Sequence, residues 1–143
     1  MTSPAPELDA EDFVIAYLTP LNIIPAGQIA ARMPAQLPLP FMLVQRVAGG
    51  DDRVVDRATV QLDTFAADQT TASTTARAVH HAMRQLHAKT VVTVDGNPWN
   101  IYACSVEQTP IYLQWEASGG GAVMDRYVAR YVIDIRLPSI QGY

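Results

Sequence analysis

The fold is decided by residues 41–86, FMLVQRVAGGDDRVVDRATVQLDTFAADQTTASTTARAVHHAMRQL. Residues 41–48 are rich in side chains that favour a β-strand, and Gly49-Gly50 is predicted to end that strand. The Asp-Asp-Arg sequence at residues 51–53 predicts an exposed turn. From residue 54 the chain is predicted to form the second strand of a hairpin, because apolar and polar side chains alternate from residue 58 to residue 63.

Beyond residue 68 the period of the apolar residues changes from 2 to 3.6. The apolar positions are Ala72, Ala76, Val79, Met83 and Leu86. Their spacing predicts one long amphipathic helix, at about residues 69–88, whose apolar stripe covers one face of the hairpin.

Shorter elements are predicted before this central unit. Residues 1–8 contain two prolines and are expected to form a frayed arm. Asp9 is a suitable cap for a short helix that Pro20 ends. Residues 28–33 have alternating apolar positions and prolines nearby, which is typical of a short edge strand.

The C-terminal half is predicted to be mostly strands. Residues 90–94 and 99–104 flank the turn sequence Asp-Gly-Asn-Pro at 95–98, which indicates a second hairpin. The Thr-Pro pair at 109–110 is expected to end its second strand, and residues 111–116 predict another short strand.

The last part of the chain combines a glycine-rich loop with a regular strand. Residues 117–122 are expected to form a mobile loop because they contain three consecutive glycines. Every second residue from 127 to 137 is apolar, and the other face carries Arg126, Arg130, Asp134 and Arg136, which predicts a final strand with one buried face that ends at Pro138.

These elements predict an α+β fold in a single domain spanning residues 1–143. We expect a mostly antiparallel or mixed β-sheet, with the long helix at about residues 69–88 and the short N-terminal helix packed on it. The opposite face of the sheet must then meet water or a neighbouring subunit.

Composition limits the classes of function. Hydrophobic residues make up 49% and charged residues 17% of the chain, the formal net charge is −4 and the isoelectric point is near 5.2. These values are typical of a folded globular protein and argue against one that grips nucleic acid through its phosphates. Because the N-terminal residues are acidic and the chain has no apolar run of about 20 residues, we expect a soluble protein that uses no membrane. The single cysteine, Cys104, is expected to be a buried thiol.

The three histidines are the most obvious candidates for metal binding or catalysis. His80, His81 and His87 all lie in the predicted helix. Adjacent helical residues project about 100° apart, and one helix cannot bring these three side chains to one ion. We therefore expect a solvated or interfacial helix face, with no metal and no cofactor.

Other chemical motifs are incomplete. The glycines at 119–121 lack the sequence of a phosphate-binding loop, and Asp51, Asp52 and Asp56 lack the ligand spacing of a calcium loop. The sequence does not assemble a nucleophile, a base and an oxyanion site, so an enzyme is not expected.

Aromatic residues are concentrated in the C-terminal half. They are Trp99, Tyr102, Tyr112, Trp115, Tyr127 and Tyr131. Aromatic side chains on strands serve either as core and cross-strand pairs or as part of a subunit interface, and the sequence leaves both alternatives open.

The order of these elements resembles the tail terminator proteins of long-tailed bacteriophages. The resemblance rests on the early strand Phe41-x-Leu43-Val44-x-Arg46 closed by Gly49-Gly50, on the next strand, which mixes Asp, Arg and Val and ends near Phe65, and on the Ala-rich helix after it. The final strand, residues 126–136, looks like that family's closing strand. The likeness covers roughly residues 9–137.

The resemblance implies a virion protein, assembled in the host cytoplasm, that forms a homo-hexameric ring on the head-proximal end of the tail tube. Such a protein stops tube polymerisation and presents a surface to the head-tail connector, with DNA only as passing cargo. Edges for neighbouring subunits are expected near residues 28–33 and along the final strand. The predicted partner-binding residues are Gly49, Gly50, Asp51, Asp52, Arg53, Ser118, Gly119, Gly120, Gly121, Arg126 and Arg130.

The sequence leaves two alternative functions open. Another neck component, such as a head closure or connector-completion protein, would also be small, acidic and ring-forming. A small enzyme or ligand-binding domain would instead use the helix histidines or an aromatic pocket.

Overall fold

The computed structural model describes residues 8–51, 55–116 and 123–136. The elements in chain order are α1 (Ala10–Leu18), a 3-10 turn (Thr19–Leu21), β1 (Ile29–Ala30), β2 (Phe41–Asp51), β3 (Val55–Ala66), α2 (Gln69–Arg84), β4 (Val92–Val94), β5 (Asn97–Trp99), β6 (Ile101–Glu116) and β7 (Val123–Arg136). A five-stranded sheet has the order β1-β2-β3-β7-β6, and β4 and β5 form a separate hairpin. Only the β1–β2 pair is parallel within the larger sheet, so the predicted α+β class with a mostly antiparallel sheet is confirmed.

The first hairpin is longer than predicted because β2 continues through both glycines. Gly49 lies opposite Ala58 and Gly50 lies opposite Arg57. The pairing shifts register between Arg46 and Ala48, and Gly49 follows with φ +107°. A Cβ atom on Gly49 would lie 1.9 Å from the carbonyl oxygen of Arg57. Glycine is therefore needed here for a bulge and a close backbone approach, rather than to end the strand.

The final strand, β7, lies inside the sheet and not at its edge. It pairs with β3 from Val55↔Arg136 to Ala66↔Asp125 and with β6 on its other side. Tyr131, Ile133 and Ile135 are buried against the helices, as the alternation predicted. The expectation that β7 offers an edge to neighbours is wrong, because both of its hydrogen-bonding sides are already used.

One continuous 16-residue strand, β6, occupies residues predicted to form two strands. Thr109 and Pro110 fall at a register shift between Gln108 and Ile111, so they bulge without ending the strand. Proline is tolerated in this position because β6 lies at the edge of the sheet. The predicted second hairpin exists only in part, as the small β4–β5 unit, whose turn residues Asp95 and Gly96 both have positive φ; its second strand is Asn97–Trp99, and residues 101–104 belong to β6.

The predicted long helix at about 69–88 is also wrong in length. α2 has 16 residues and ends at Arg84, where the N–H groups of Gln85 and Leu86 bond to carbonyl oxygens three residues earlier. These tighter bonds close the last turn. Leu86 is still buried, with 3% of its surface exposed, which explains why the apolar period continues past the helix end.

The short N-terminal helix forms as predicted. The Asp9 carboxylate accepts the backbone N–H groups of Glu11 and Asp12, and α1 then runs from Ala10 to Leu18. Its buried residues include Phe13, Val14 and Leu18, which join the main core between the helices and the sheet.

Two side-chain hydrogen bonds tie the helical layer together and to the sheet. The Tyr17 hydroxyl on α1 donates to the Ala82 carbonyl of α2 at 2.7 Å, and the Tyr131 hydroxyl on β7 lies 2.6 Å from His80 Nδ1.

Among the described residues, no helix is long and apolar enough to cross a membrane.

We expect Gly49→Ala to destabilise the protein by more than about 1 kcal/mol, because alanine disfavours the positive φ and its methyl group meets the Arg57 backbone. Gly50→Ala is the matched control, since nothing lies within 4 Å of a Cβ atom there. Urea unfolding of both variants measures the difference. Equal loss of stability in the two variants would contradict the assigned bulge.

Candidate interaction surface

The helices cover one face of the sheet, and the opposite face carries most of the charged side chains of β3 and β7. We call this second side the open face. In the register of β3 and β7, Gln61 lies opposite Arg130 and Arg57 lies opposite Asp134. Directly opposed residues share a face, so both pairs lie on the open face, between the alternate positions that form the main core.

A hydrogen-bonded network occupies the middle of the open face. Gln61 Nε2 donates to Asp63 Oδ1 at 2.8 Å, and Arg126 Nη1 lies 3.5 Å from Asp63 Oδ2. Arg130 Nε donates to Gln61 Oε1 at 3.0 Å. Arg126 Nε is buried and has no hydrogen-bond partner among the described residues. The network therefore holds two guanidinium groups against one carboxylate.

Asp63 is the most buried charged side chain in this network, with 5% of its surface exposed. Burial raises the pKa of its carboxyl group above the ordinary value, while the Gln61 hydrogen bond and the charges of Arg126 and Arg130 act in the opposite direction. Burial is the larger effect. The carboxylate thus remains costly to ionise even with two arginines nearby.

A weaker ion pair continues the charged strip toward one end of the sheet. Arg57 Nε lies 3.6 Å from Asp134 Oδ1, a distance within ion-pair range but too long for a good hydrogen bond. The Arg57 side chain is 73% exposed. Solvent screens such a pair, so it contributes little to stability.

The β2 side of the sheet is closed by α1. Arg46 pairs with Asp56 through two hydrogen bonds of 2.6 Å, and its backbone N–H donates to Glu11 Oε2 at 2.8 Å. The Glu11 carboxylate therefore occupies a backbone N–H group that an incoming strand would need for pairing. Next to it, β1 pairs with Met42 and Leu43.

A small second core lies next to the charged network. It contains Phe41, Leu43 and Phe65, with Ala30 and Leu37 packed against it. The segment between β1 and β2 thus covers one corner of the open face, beside β2 and β3.

The β6 edge is the most apolar exposed part of the described chain. Its exposed large apolar side chains are Tyr102, Val106, Ile111, Tyr112 and Leu113. Tyr112 is held in place, because its hydroxyl donates to Asp125 Oδ1 at 2.5 Å and its ring lies edge-on to Tyr127, with centroids 5.5 Å apart. The aromatic residues of the C-terminal half divide between core and surface: Tyr131 belongs to the core, whereas Tyr102 and Tyr112 lie on the exposed edge.

A polar groove of about 280 Å³ runs between the first turns of α2 and β7. Its lining residues are Gln69, Thr70, Ser73, Thr74, Arg77 and Tyr127. Arg77 donates twice to Ser73 Oγ, at 2.7 and 3.1 Å, so its guanidinium is partly satisfied within the protein. The groove presents donors and hydroxyl groups, and none of its described lining residues is a histidine or a carboxylate that could act as a general base.

The three histidines have separate surroundings, and His87 lies beyond the end of α2 and not in the helix as predicted. His80 contacts Tyr131, His81 Nε2 lies 3.0 Å from the Gln85 amide nitrogen, and His87 Nδ1 accepts the backbone N–H of Lys89. Burial, with a smaller effect of Arg84, lowers the pKa of His80, and burial raises the pKa of Tyr131. In the described ranges, no three His, Cys, Asp or Glu side chains are grouped to hold a metal ion.

Cys104 lies on β6, partly buried against the main core. Burial and then the Asp134 charge raise the pKa of its thiol to about 11. It therefore stays protonated at neutral pH, and a thiol is a much weaker nucleophile than a thiolate.

The predicted partner-binding residues do not come together in one place. Gly49, Gly50 and Asp51 end β2 at the Asp134 end of the sheet, whereas Arg126 lies opposite Phe65 near the other end. Arg130 lies between them in the central network. Asp52, Arg53 and the predicted mobile loop at Ser118, Gly119, Gly120 and Gly121 lie outside the described residues.

Sequence reasoning missed three residues of this surface: Asp63, Ile111 and Leu113. The alternation in residues 58–63 placed Asp63 on the polar face but gave no sign that it would be buried. The exposure of the apolar side chains of β6 follows from its position at the sheet edge, which no local pattern encodes.

Searches against protein-family models and against curated proteins find no match to this chain.

NMR titration of the carboxyl carbons is expected to give Asp63 a pKa above the ordinary value of 3.8 and Asp68 a pKa below it, since two bonds from Thr71 stabilise the Asp68 carboxylate. Because the pKa of Asp63 is higher in the folded than in the unfolded state, the folded state holds this proton more tightly. The contribution of Asp63 to the free energy of unfolding therefore decreases as the pH rises from about 3.8 through its folded pKa. Asp68 has the opposite sign, because its stabilising contribution is lost as the pH falls through its folded pKa.

The variant Arg126→Gln tests the origin of the Asp63 shift. Removing the nearest positive charge should raise the pKa of Asp63 further and leave that of Asp68 unchanged. An Asp63 pKa at or below 3.8 in the unchanged protein would show that the arginines, and not burial, dominate this site.

Proposed function

We propose that this chain is a tail terminator of a long-tailed bacteriophage. In this role it caps the head-proximal end of the tail tube, stops tube polymerisation and provides the joining surface for the head. The observation that most directly supports the role is the asymmetry of the described sheet: most of one face carries no helix, one edge is closed by Glu11 and β1, and no described strand pairs with the outer side of the other edge, β6, which is apolar.

This asymmetry suits a protein that ends a polymer. A subunit with two usable edges can join neighbours on both sides and continue an assembly, whereas a subunit with one usable edge adds without offering the same surface again. The proposed homo-hexameric ring requires a head-to-tail contact that closes after six copies. Because the β2 edge is closed, that contact uses the open face or the loops at the ends of the sheet.

Arg126 and Arg130 are the proposed contacts to the tail tube protein. They lie on the open face, and Arg130 hydrogen-bonds to the neutral side chain of Gln61, so its charge is not consumed by a direct hydrogen bond to a carboxylate. A guanidinium group in this setting can bind a carboxylate of a partner through two parallel hydrogen bonds. The proposed partner surface on the tube is therefore acidic.

The proposed role also sets where the protein lies and how it meets DNA. The protein would assemble in the host cytoplasm and remain in the virion at the head-proximal end of the tail, in contact with the connector protein. DNA would pass through the ring as cargo, because a chain of net charge −4 holds phosphates weakly.

Electron microscopy of particles made without this protein tests the proposed function. Abnormally long tubes that lack heads are expected, since nothing would stop tube growth. Tails of normal length that fail to join heads would instead identify another neck component, such as a head closure or connector-completion protein.

A matched pair of arginine variants tests the contact surface. Arg130→Gln should abolish capping of purified tubes while the variant remains folded, whereas Arg84→Gln, on the exposed side of α2, should cap normally. Normal capping by both variants would show that the open face does not contact the tube.

The double variant His81→Gln and His87→Gln tests the alternative of an enzyme or ligand-binding domain. Loss of tube capping in this variant while it remains folded would favour a chemical role.

A further inference from the structure

The two edges of the sheet differ in what they offer to another strand. On the β2 side, β1 pairs with Met42 and Leu43, and the Glu11 carboxylate accepts the Arg46 N–H. Beyond Arg46 the bulge and the positive φ of Gly49 interrupt the regular spacing of backbone groups. On the β6 side, no strand of the described residues covers the outer edge.

Only the C-terminal half of β6 is regular enough to accept a partner strand. The N-terminal half contains three register shifts, the last of which includes Pro110, a residue without an N–H group. From Ile111 to Glu116 the pairing with β7 continues without interruption. Within this part Ile111, Tyr112 and Leu113 are exposed apolar side chains.

The charge pattern of this segment suits a second copy of the same strand. Residues 108–115 contain no Asp, Glu, Lys or Arg. Two copies can therefore align here without bringing like charges together, which would be unfavourable for directly opposed residues. Glu107 and Glu116 lie outside this run, on either side of it.

We propose that two copies of this chain pair through β6, antiparallel and with two-fold symmetry, at residues 111–115. A head-to-tail pairing of β6 with the β2 edge of another copy is disfavoured because that edge is closed, so sheet extension must use β6 twice. The result is a continuous sheet of two molecules.

Symmetry fixes the register of this contact. In an antiparallel pair directly opposed residues share a face, and a two-fold axis therefore places one residue opposite its own copy. Centring the pair on Leu113 joins the exposed leucines and leaves Pro110 at the end of the pairing. Centring it on Tyr112 would bring Pro110 further inside, opposite Gln114.

The contact is short, so we expect it to be reversible. A few residues of strand pairing bury less surface than an interface of standard size. The dimer should form at high protein concentration and dissociate on dilution. It is a property of the isolated chain and does not depend on the proposed function.

Light scattering coupled to size-exclusion chromatography tests the proposal with the purified full chain. The mass is expected to rise from 15.6 kDa toward twice that value as the concentration increases. Leu113→Lys alone and Leu113→Glu alone should each remain at the monomer mass, because each places like charges opposite one another. An equimolar mixture of the two variants should recover the dimer, because opposite charges then meet at the same position.

Val47→Lys is the matched control, since Val47 is 42% exposed on β2 and Leu113 is 41% exposed on β6. It should dimerise like the unchanged chain. A constant monomer mass of the unchanged chain, a mass near six copies, or failure of the Lys and Glu variants to recover the dimer when mixed while both remain folded by circular dichroism would each overturn the two-fold contact at Leu113.

Discussion

The pairing of β3 with β7 is the interaction on which the rest of the structure depends. Twelve residue pairs join the two strands, from Val55↔Arg136 to Ala66↔Asp125. One side of this pair supplies Val60, Leu62 and Ile133 to the core under the helices, and the other supplies the network around Asp63. A shift of one residue would exchange the two sides and bury the arginines in the apolar core. The register is therefore strongly specified by both faces at once.

The β3–β7 register also places apolar and charged side chains on opposite faces of the sheet. Apolar burial on the helix side provides the main driving force for folding. On the open face, Arg126 and Arg130 surround a single buried carboxylate, and their positive charge exceeds its negative charge. Although the whole chain carries a net charge of −4, this face presents guanidinium groups to its surroundings. The open face can therefore attract an acidic partner even though the chain as a whole is acidic.

The sequence predicted the features that depend on local periodicity and capping. The Asp9 cap, the alternation of β7 and the small hairpin at Asp95-Gly96 each follow from a few neighbouring residues, and the structure contains all three. The errors have a common physical origin in non-local contacts. Gly49 is needed for a close approach to Arg57 across the hairpin, and Pro110 is tolerated because β6 happens to be an edge. The order of strands in the sheet, and with it the exposed edge, depends on pairings between residues far apart in the chain.

Burial differs sharply between the middle and the margin of the sheet. Nearly every described side chain of β3 is buried or half-buried, whereas most of those of β6 are exposed. Local opening requires little free energy where few apolar contacts are broken, so backbone amides of β3 should be protected from hydrogen exchange far longer than those in the outer half of β6. The outer strand can fray and re-form while the interior remains intact. The part of the molecule best placed to meet another protein is thus also the part that can change its shape to fit one.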